Sequence, residues 1–158
     1  MIWHVAQTRY HHERLIEEQC CNSGLHPYVP WVEEKRRWNE RTAVVTVPLL
    51  SGFVFVAADC DLKPVCRMSG FLRWVMFNHQ PGIVTEEEIQ TMKTACHPQF
   101  HAHPEVNFAP GSIVLIVRGP FQGRTGVVLN QNAQFVRLRL GVGEIGGFSI
   151  QVPREDVE

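Results

Sequence analysis

No charge of one sign dominates this 158-residue chain. Fifteen Lys and Arg stand against sixteen Asp and Glu, a formal net charge of −1. That excludes a nucleic-acid binder working by bulk charge, so any contact with DNA or RNA has to be local. No Cys-x-x-Cys pair occurs. The five cysteines, Cys20, Cys21, Cys60, Cys66 and Cys96, are odd in number, and no charged-then-apolar leader opens the chain. The expectation is reduced thiols in a cytoplasmic protein rather than a disulfide framework. No apolar run approaches the roughly 20 residues that cross a bilayer, so no membrane contact is expected. A phosphate loop, a locally supported Ser-His-Asp set and a carboxylate pair in an apolar setting are all missing, which points away from an enzyme and from a cofactor. Internal repeats and low-complexity tracts are absent as well.

What is present is 44% apolar residues, enough for a core, in two stretches of different character. The first runs to about residue 95 and mixes strands and helices. Ile2–Arg9 reads as a strand and His11–Asn22 as a helix, with Gly24 at its C-terminal cap. Leu25–Val32 is extended around Pro27 and Pro30. Glu33–Arg41 is a charged loop or hairpin tip, Ala43–Val47 and Gly52–Ala58 are strands, and Asp61 caps a short helix to about Met68. Leu72–Phe77 is a further strand. Thr85-Glu86-Glu87-Glu88 is a capping box that opens a helix to about Ala95.

Residues 96–107 read as a linker. Cys96, His97, His101 and His103 raise a zinc reading there, but their spacing matches no standard site, and no metal is expected. From residue 108 the chain is all β: Ser112–Arg118, Arg124–Asn130, Gln134–Leu140 and Phe148–Val152 are four evenly spaced strands, the pattern of a small barrel. Val136, Leu138 and Leu140 alternate with Phe135, Arg137 and Arg139, one face buried and one solvated.

Two sets of residues carry a family resemblance. Pro110-Gly111 before one strand, Gly119-Pro120-Phe121-Gln122-Gly123 after it, and Gly126-Val127-Val128 beyond resemble the KOW motif, in which glycines permit a turn closed to residues with a Cβ. In the first stretch, Trp3-His4-Val5-Ala6-Gln7, then 47–56 (Val-Pro-Leu-Leu-Ser-Gly-Phe-Val-Phe-Val), then Gly70-Phe71-Leu72-Arg73-Trp74-Val75 with Pro81, then Ile83-Val84-Thr85 entering a helix, resemble in order the N-terminal domain of NusG proteins. His4, Leu50-Ser51 and Phe53 depart from the usual Tyr, Phe-Pro and Tyr.

The resemblance implies an α+β architecture: an N-terminal α/β sandwich with a mainly antiparallel sheet (1–95), a linker (96–107) and an SH3-like KOW barrel (108–158). It implies a transcription elongation factor, acting as a monomer, that binds the clamp helices of RNA polymerase and suppresses pausing and termination. Its barrel would recruit termination factor Rho or a small ribosomal subunit protein. By motif position the polymerase contacts are Trp3, Leu50, Gly52, Phe53 and Trp74, with Trp3 and Phe55 equally readable as core; strand 52–58 is apolar on both parities and so has two faces to cover. Arg9, His11, His12 and Arg14 would face non-template DNA. The basic tip with Arg36, Arg37 and Trp38 would stack on a base, pack on polymerase or fold back on Pro30 or Trp31. Glycine-rich KOW positions are Gly111, Gly119, Pro120, Phe121, Gly123 and Gly126. The departures at Leu50-Ser51 favour a specialised UpxY/RfaH-like antitermination paralogue, of the kind serving polysaccharide operons, over the housekeeping elongation and Rho-dependent termination factor. A ribosome-associated KOW RNA-binding protein is the remaining alternative, and it requires a basic barrel surface.

Overall fold

The computed structural model describes residues 1–104, 111–143 and 145–158. In chain order the elements are β1 (Ile2–Thr8), α1 (Glu13–Asn22), β2 (Pro27–Tyr28), β3 (Trp31–Trp38), β4 (Arg41–Pro48), β5 (Phe53–Ala57), a 3-10 turn (Lys63–Arg67), β6 (Phe71–Trp74), β7 (Met76–Phe77), β8 (Gln80–Pro81), β9 (Val84–Thr85) and α2 (Glu86–Ala95). A 3-10 turn (Pro98–Phe100), β10 (His103–Pro104), β11 (Ile113–Leu115), β12 (Thr125–Gln131), β13 (Phe135–Val142), β14 (Gly146–Pro153) and a last 3-10 turn (Arg154–Asp156) follow. Tertiary contacts divide the chain into a first unit, residues 1–30 and 50–90, and a second unit, residues 31–49 and 91–158.

In the first unit an antiparallel sheet runs β2-β5-β1-β6, with β9 also on β1. β1 is the central strand because it can be apolar on both sides: Trp3, Val5 and Ala6 are all buried, as is β5 from Val54 to Ala57. α1 buries Ile16 and Cys20, four residues apart on one face. Its chain exit is a left-handed Gly24 (φ 74°) whose N–H reaches Cys21 O, the cap read from the sequence. The capping box holds as well. The Glu88 N–H donates to Thr85 Oγ1 at 3.2 Å, and the Thr85 N–H donates to Glu88 Oε2 at 2.9 Å. The Asp61 carboxylate accepts the Lys63 N–H at 3.0 Å, but the turn it opens is 3-10, not α.

In the second unit β3 and β4 form a two-stranded ribbon paired from Trp31↔Pro48 to Trp38↔Arg41. The charged run 33–41, expected to be a hairpin tip or loop, is a hairpin, with strand as far as Trp38 and the turn at Asn39 and Glu40. The valine-rich partner 43–47 supplies the β preference that residues 33–37 lack, and pairing overrides local composition. The remaining strands form a small SH3-like barrel with the order β10-β14-β13-β12-β11. Val136, Leu138, Leu140 and Val142 point inward from β13, and Phe148, Ile150 and Val152 are buried on β14, as the alternation requires. Leu115 and Glu158 exchange two backbone hydrogen bonds at 2.8 Å, which ties the end of the chain to β11.

Part of the expected linker is ordered. Within 96–107, Phe100 packs edge-on against Phe121 with ring centroids 4.7 Å apart, and His103–Pro104 pairs with Ser149 and Phe148 of β14. Ser149, fully buried, is bonded through Oγ to His103 Nδ1 (3.1 Å) and accepts from Arg137 Nη1 (3.0 Å). A strand of two residues has no periodicity to reveal it; its partner lies 46 positions away. Residues 105–107 of that linker, residues 108 and 109 at the expected barrel start and Pro110 of the KOW segment lie outside the described residues.

Candidate functional site

The antiparallel register decides which side chains share a face. Gln7 pairs with Phe53 on one side and with Arg73 on the other, so these three form a row across β5-β1-β6. Arg73 Nε donates to Gln7 Oε1 at 2.7 Å, which holds a cation and an amide beside the half-buried Phe53 ring. Ala6 pairs with Val54 and with Trp74. Trp74 therefore stands on the opposite face from Phe53, and the expected single aromatic shelf is divided in two.

The loop before Phe53 is fixed by a buried acid. The Glu13 carboxylate at the start of α1 accepts the Gly52 N–H at 2.7 Å and the Ser51 hydroxyl at 3.4 Å. Gly52 sits at φ 85°, where a Cβ is strained, and its carbonyl accepts the Thr8 N–H at 2.8 Å. The turn thus delivers Phe53 to the end of the sheet in one orientation. Leu50, expected as a contact, is 7% exposed, and Trp3 is 6% exposed. Both belong to the core. Trp3 Nε1 donates to Glu86 Oε2 at 2.7 Å, joining β1 to the first turn of α2. The reason is register: Trp3 pairs with Ala57 and with Val84, in the middle of the sheet rather than at its rim.

On the Trp74 face a cleft of about 410 Å³ opens, lined by His4, Leu62, Cys66, Trp74 and Pro81 among others. Trp74 Nε1 donates to Cys66 Sγ at 3.3 Å, and its ring meets Phe71 and His4 edge-on.

The residues read as facing DNA gather between β1 and α1. Arg9, His11 and Arg14 are exposed; His12 is half-buried, its Nδ1 within 2.9 Å of Tyr10 O. Tyr10, which no sequence pattern marks, is 71% exposed with its ring centroid 3.9 Å from that of His11. Gln7 and Arg73 are not marked as contacts either, because neither lies in an apolar pattern. Arg36, Arg37 and Trp38 are at the far end of the β3–β4 ribbon, all exposed. Trp38 does not fold back on Trp31 or Pro30, since a strand of eight residues places Trp31 and Trp38 at opposite ends.

In the barrel the KOW glycines lie where expected. Gly119 (φ 83°) and Gly123 (φ 88°) bracket the turn from β11 to β12. Pro120 lies between them, and Phe121 is buried and anchors that turn. A Cβ on Gly126 would lie 3.1 Å from the Leu138 Cβ, and one on Gly111 would collide with Val128 O. Among the described residues no group of three or more His, Cys, Asp or Glu side chains could hold a metal ion, and no helix is long and apolar enough to cross a membrane.

Comparison with known proteins resolves the family. The model described as "Transcription termination factor nusG" matches residues 1–93, and the KOW motif matches residues 110–139.

The chain belongs to the NusG family.

Members of the NusG family are transcription factors, not enzymes. Two relatives, the transcription termination/antitermination proteins NusG of Helicobacter pylori strains J99 and 26695, are each 26% identical over 112 residues, which is 67% of this chain and 62% of theirs. The chain thus spans under two thirds of the length of the curated relatives it matches. NusG of Thermotoga maritima, solved in a study of its domain interaction, superposes with a TM-score of 0.62 at 18% identity. That superposition covers 100% of this chain and 97% of the other, a likeness of fold.

Proposed function

We propose that this NusG-family chain is a transcription elongation factor that docks on RNA polymerase through the row Phe53, Gln7 and Arg73. The supporting observation is that Phe53, alone among the β5 side chains, is not sealed: Val54 to Ala57 are buried while Phe53 is half-exposed beside an ordered cation–amide pair. An aromatic anchor with a polar rim is the usual composition of an energetic hot spot. Its partner is the clamp-helix pair of the polymerase, a helix-in-groove contact. Trp3 and Leu50 support the row from inside, and Gly52 shapes its approach.

In this reading residues 1–95 hold the polymerase, 96–107 connect, and the barrel of 108–158 recruits a second factor, Rho or a small ribosomal subunit protein, at high effective concentration. Arg9, Tyr10, His11 and Arg14 lie along the non-template strand. The chain suppresses pausing and termination as a monomer in the cytoplasm, in the manner of a specialised antitermination paralogue; Leu50-Ser51 in place of the usual Phe-Pro supports that version over the housekeeping one.

A single-round transcription assay on a template carrying a pause site and a terminator tests this. Added protein is expected to shorten the pause and raise read-through. Unchanged pause lifetime and termination at saturating protein would overturn the proposal.

A further inference from the structure

Residues 97–104 do more than connect. They lie along the barrel, and three anchors hold them there. Phe100 is buried, its ring edge-on to the buried Phe121 ring with 4.7 Å between centroids. Arg137 Nη1 donates to His101 O at 3.2 Å and to Ser149 Oγ at 3.0 Å. His103 Nδ1 lies 3.1 Å from the same hydroxyl. Backbone pairing adds little. Among the described residues β10 reaches only Phe148 and Ser149, two of the eight residues of β14, whereas β13 pairs with all eight.

By composition the segment is a poor strand. It has no Val, Ile or Thr, and it carries Pro98 and Pro104. His101 is held at φ 47°, a left-handed conformation that a residue with a Cβ adopts only at a cost. Few ladder bonds, weak strand preference and a strained residue place a segment at the low-stability end of its unit. What it covers is the opposite, the outer edge of a strand fully paired on its other side. Such an edge, once bare, offers unpaired N–H and C=O groups to any extended chain. Beside it lie an aromatic ring, Phe121, and a cation, Arg137.

We propose that residues 97–104 are an autoinhibitory strap. They occupy the outer edge of β14 and the Phe121 ring in cis, and the barrel admits an extended peptide there only when the strap lifts. The strap itself shows what that peptide has to supply: a strand for β14, an aromatic side chain for Phe121 and a carbonyl for Arg137. As part of the same chain it competes at high effective concentration, so a weakly attached segment still keeps the edge closed to free peptides. This rests on the reading of the barrel as a recruiting domain and adds how recruitment is gated.

The test uses the full chain and a fluorescein-labelled peptide of the strap sequence, residues 97–104, with no second factor present. Hydrogen exchange followed by mass spectrometry reads the strap, and anisotropy reads the peptide. In wild type the amides of 97–104 should exchange faster than those of 135–142, and the peptide should bind weakly. Phe100→Ala with His103→Ala should speed strap exchange further. It should also tighten peptide binding by about ten-fold, since apparent affinity scales with the fraction of barrels that are open. A peptide carrying Phe100→Ala should lose that gain. His103→Ala alone leaves Phe121 covered and should move both readouts the same way by less; it decides the matter if the double variant does not fold. Equal peptide affinity in wild type and variants, or no binding by any of them, would overturn the proposal. So would exchange of 97–104 in wild type as slow as that of 135–142, because the strap would then be a fixed part of the barrel. Failure of the recruitment reading would show in binding assays with Rho and the ribosomal protein, not in these readouts.

Discussion

The Glu13 carboxylate, only 2% exposed, accepts the Gly52 N–H at 2.7 Å, and this bond, with the longer one from the Ser51 hydroxyl, links the first turn of α1 to the turn that presents Phe53. A carboxylate at a helix start also meets the positive end of the helix dipole. Glu13→Ala would leave a buried amide without its acceptor, at about 1.5–3 kcal/mol for a hydrogen bond to a charged group. The melting temperature should fall by roughly 4–8 °C, and affinity for polymerase should fall with it. Thermal unfolding of Glu13→Ala and Glu13→Gln checks this. Gln keeps an acceptor and should lose about half as much.

Trp3, which the sequence leaves open between core and docking surface, lies in the core, bonded to Glu86. Trp3→Phe removes the indole donor and should cost about 1–2 kcal/mol of stability while leaving polymerase affinity at native-state temperatures unchanged. Equilibrium urea unfolding and a binding assay on the same preparation separate the two effects.

The barrel depends on backbone approach at Gly147, where a Cβ would lie 2.5 Å from Leu140 O. Gly147→Ala should separate β13 from β14 and destabilise the barrel by about 2 kcal/mol or more. Amide exchange in 135–153 should rise, with exchange in β1 and β5 left as it was.

The cysteines should label in order. Cys20 is buried, and burial, then Cys21 and Glu17, push its thiol up to about 11 from 9.0. The Asp59 carboxylate, hydrogen-bonded to Cys60, raises that thiol as well. Iodoacetamide at pH 8 should modify Cys21 and Cys66 first, Cys60 more slowly and Cys20 only on unfolding, as read by peptide mass mapping. Between pH 9 and 11 the unfolded chain releases the Cys20 proton while the folded chain keeps it. This contribution to stability is complete below pH 9 and is lost as pH rises through about 11.

Sequence patterns local to one element were legible. Thr85 and Glu88 announced the helix start, Gly24 announced a helix end, and Val136-x-Leu138-x-Leu140 announced a strand with one buried face. The site was legible only in part, since a face is set by register between strands far apart in sequence. Phe53 and Trp74 both look like contact aromatics until Gln7 and Ala6 assign them to opposite sides. Leu50 sits beside a turn and reads as exposed, yet the turn is held inward by Glu13, an acid that resembles any solvated helix-start charge. The run 33–38 has no apolar alternation and became strand only because 43–47 pairs with it.

The most direct test of the docking account is the affinity of the labelled full chain for core RNA polymerase, measured by anisotropy for wild type, Phe53→Ala and Trp3→Phe. Truncation of a hot-spot aromatic costs about 2 kcal/mol or more, so Phe53→Ala should bind on the order of thirty-fold more weakly with its fold intact, and Trp3→Phe should match wild type. Wild-type affinity in a folded Phe53→Ala protein would contradict the claim that this row is where the polymerase is held.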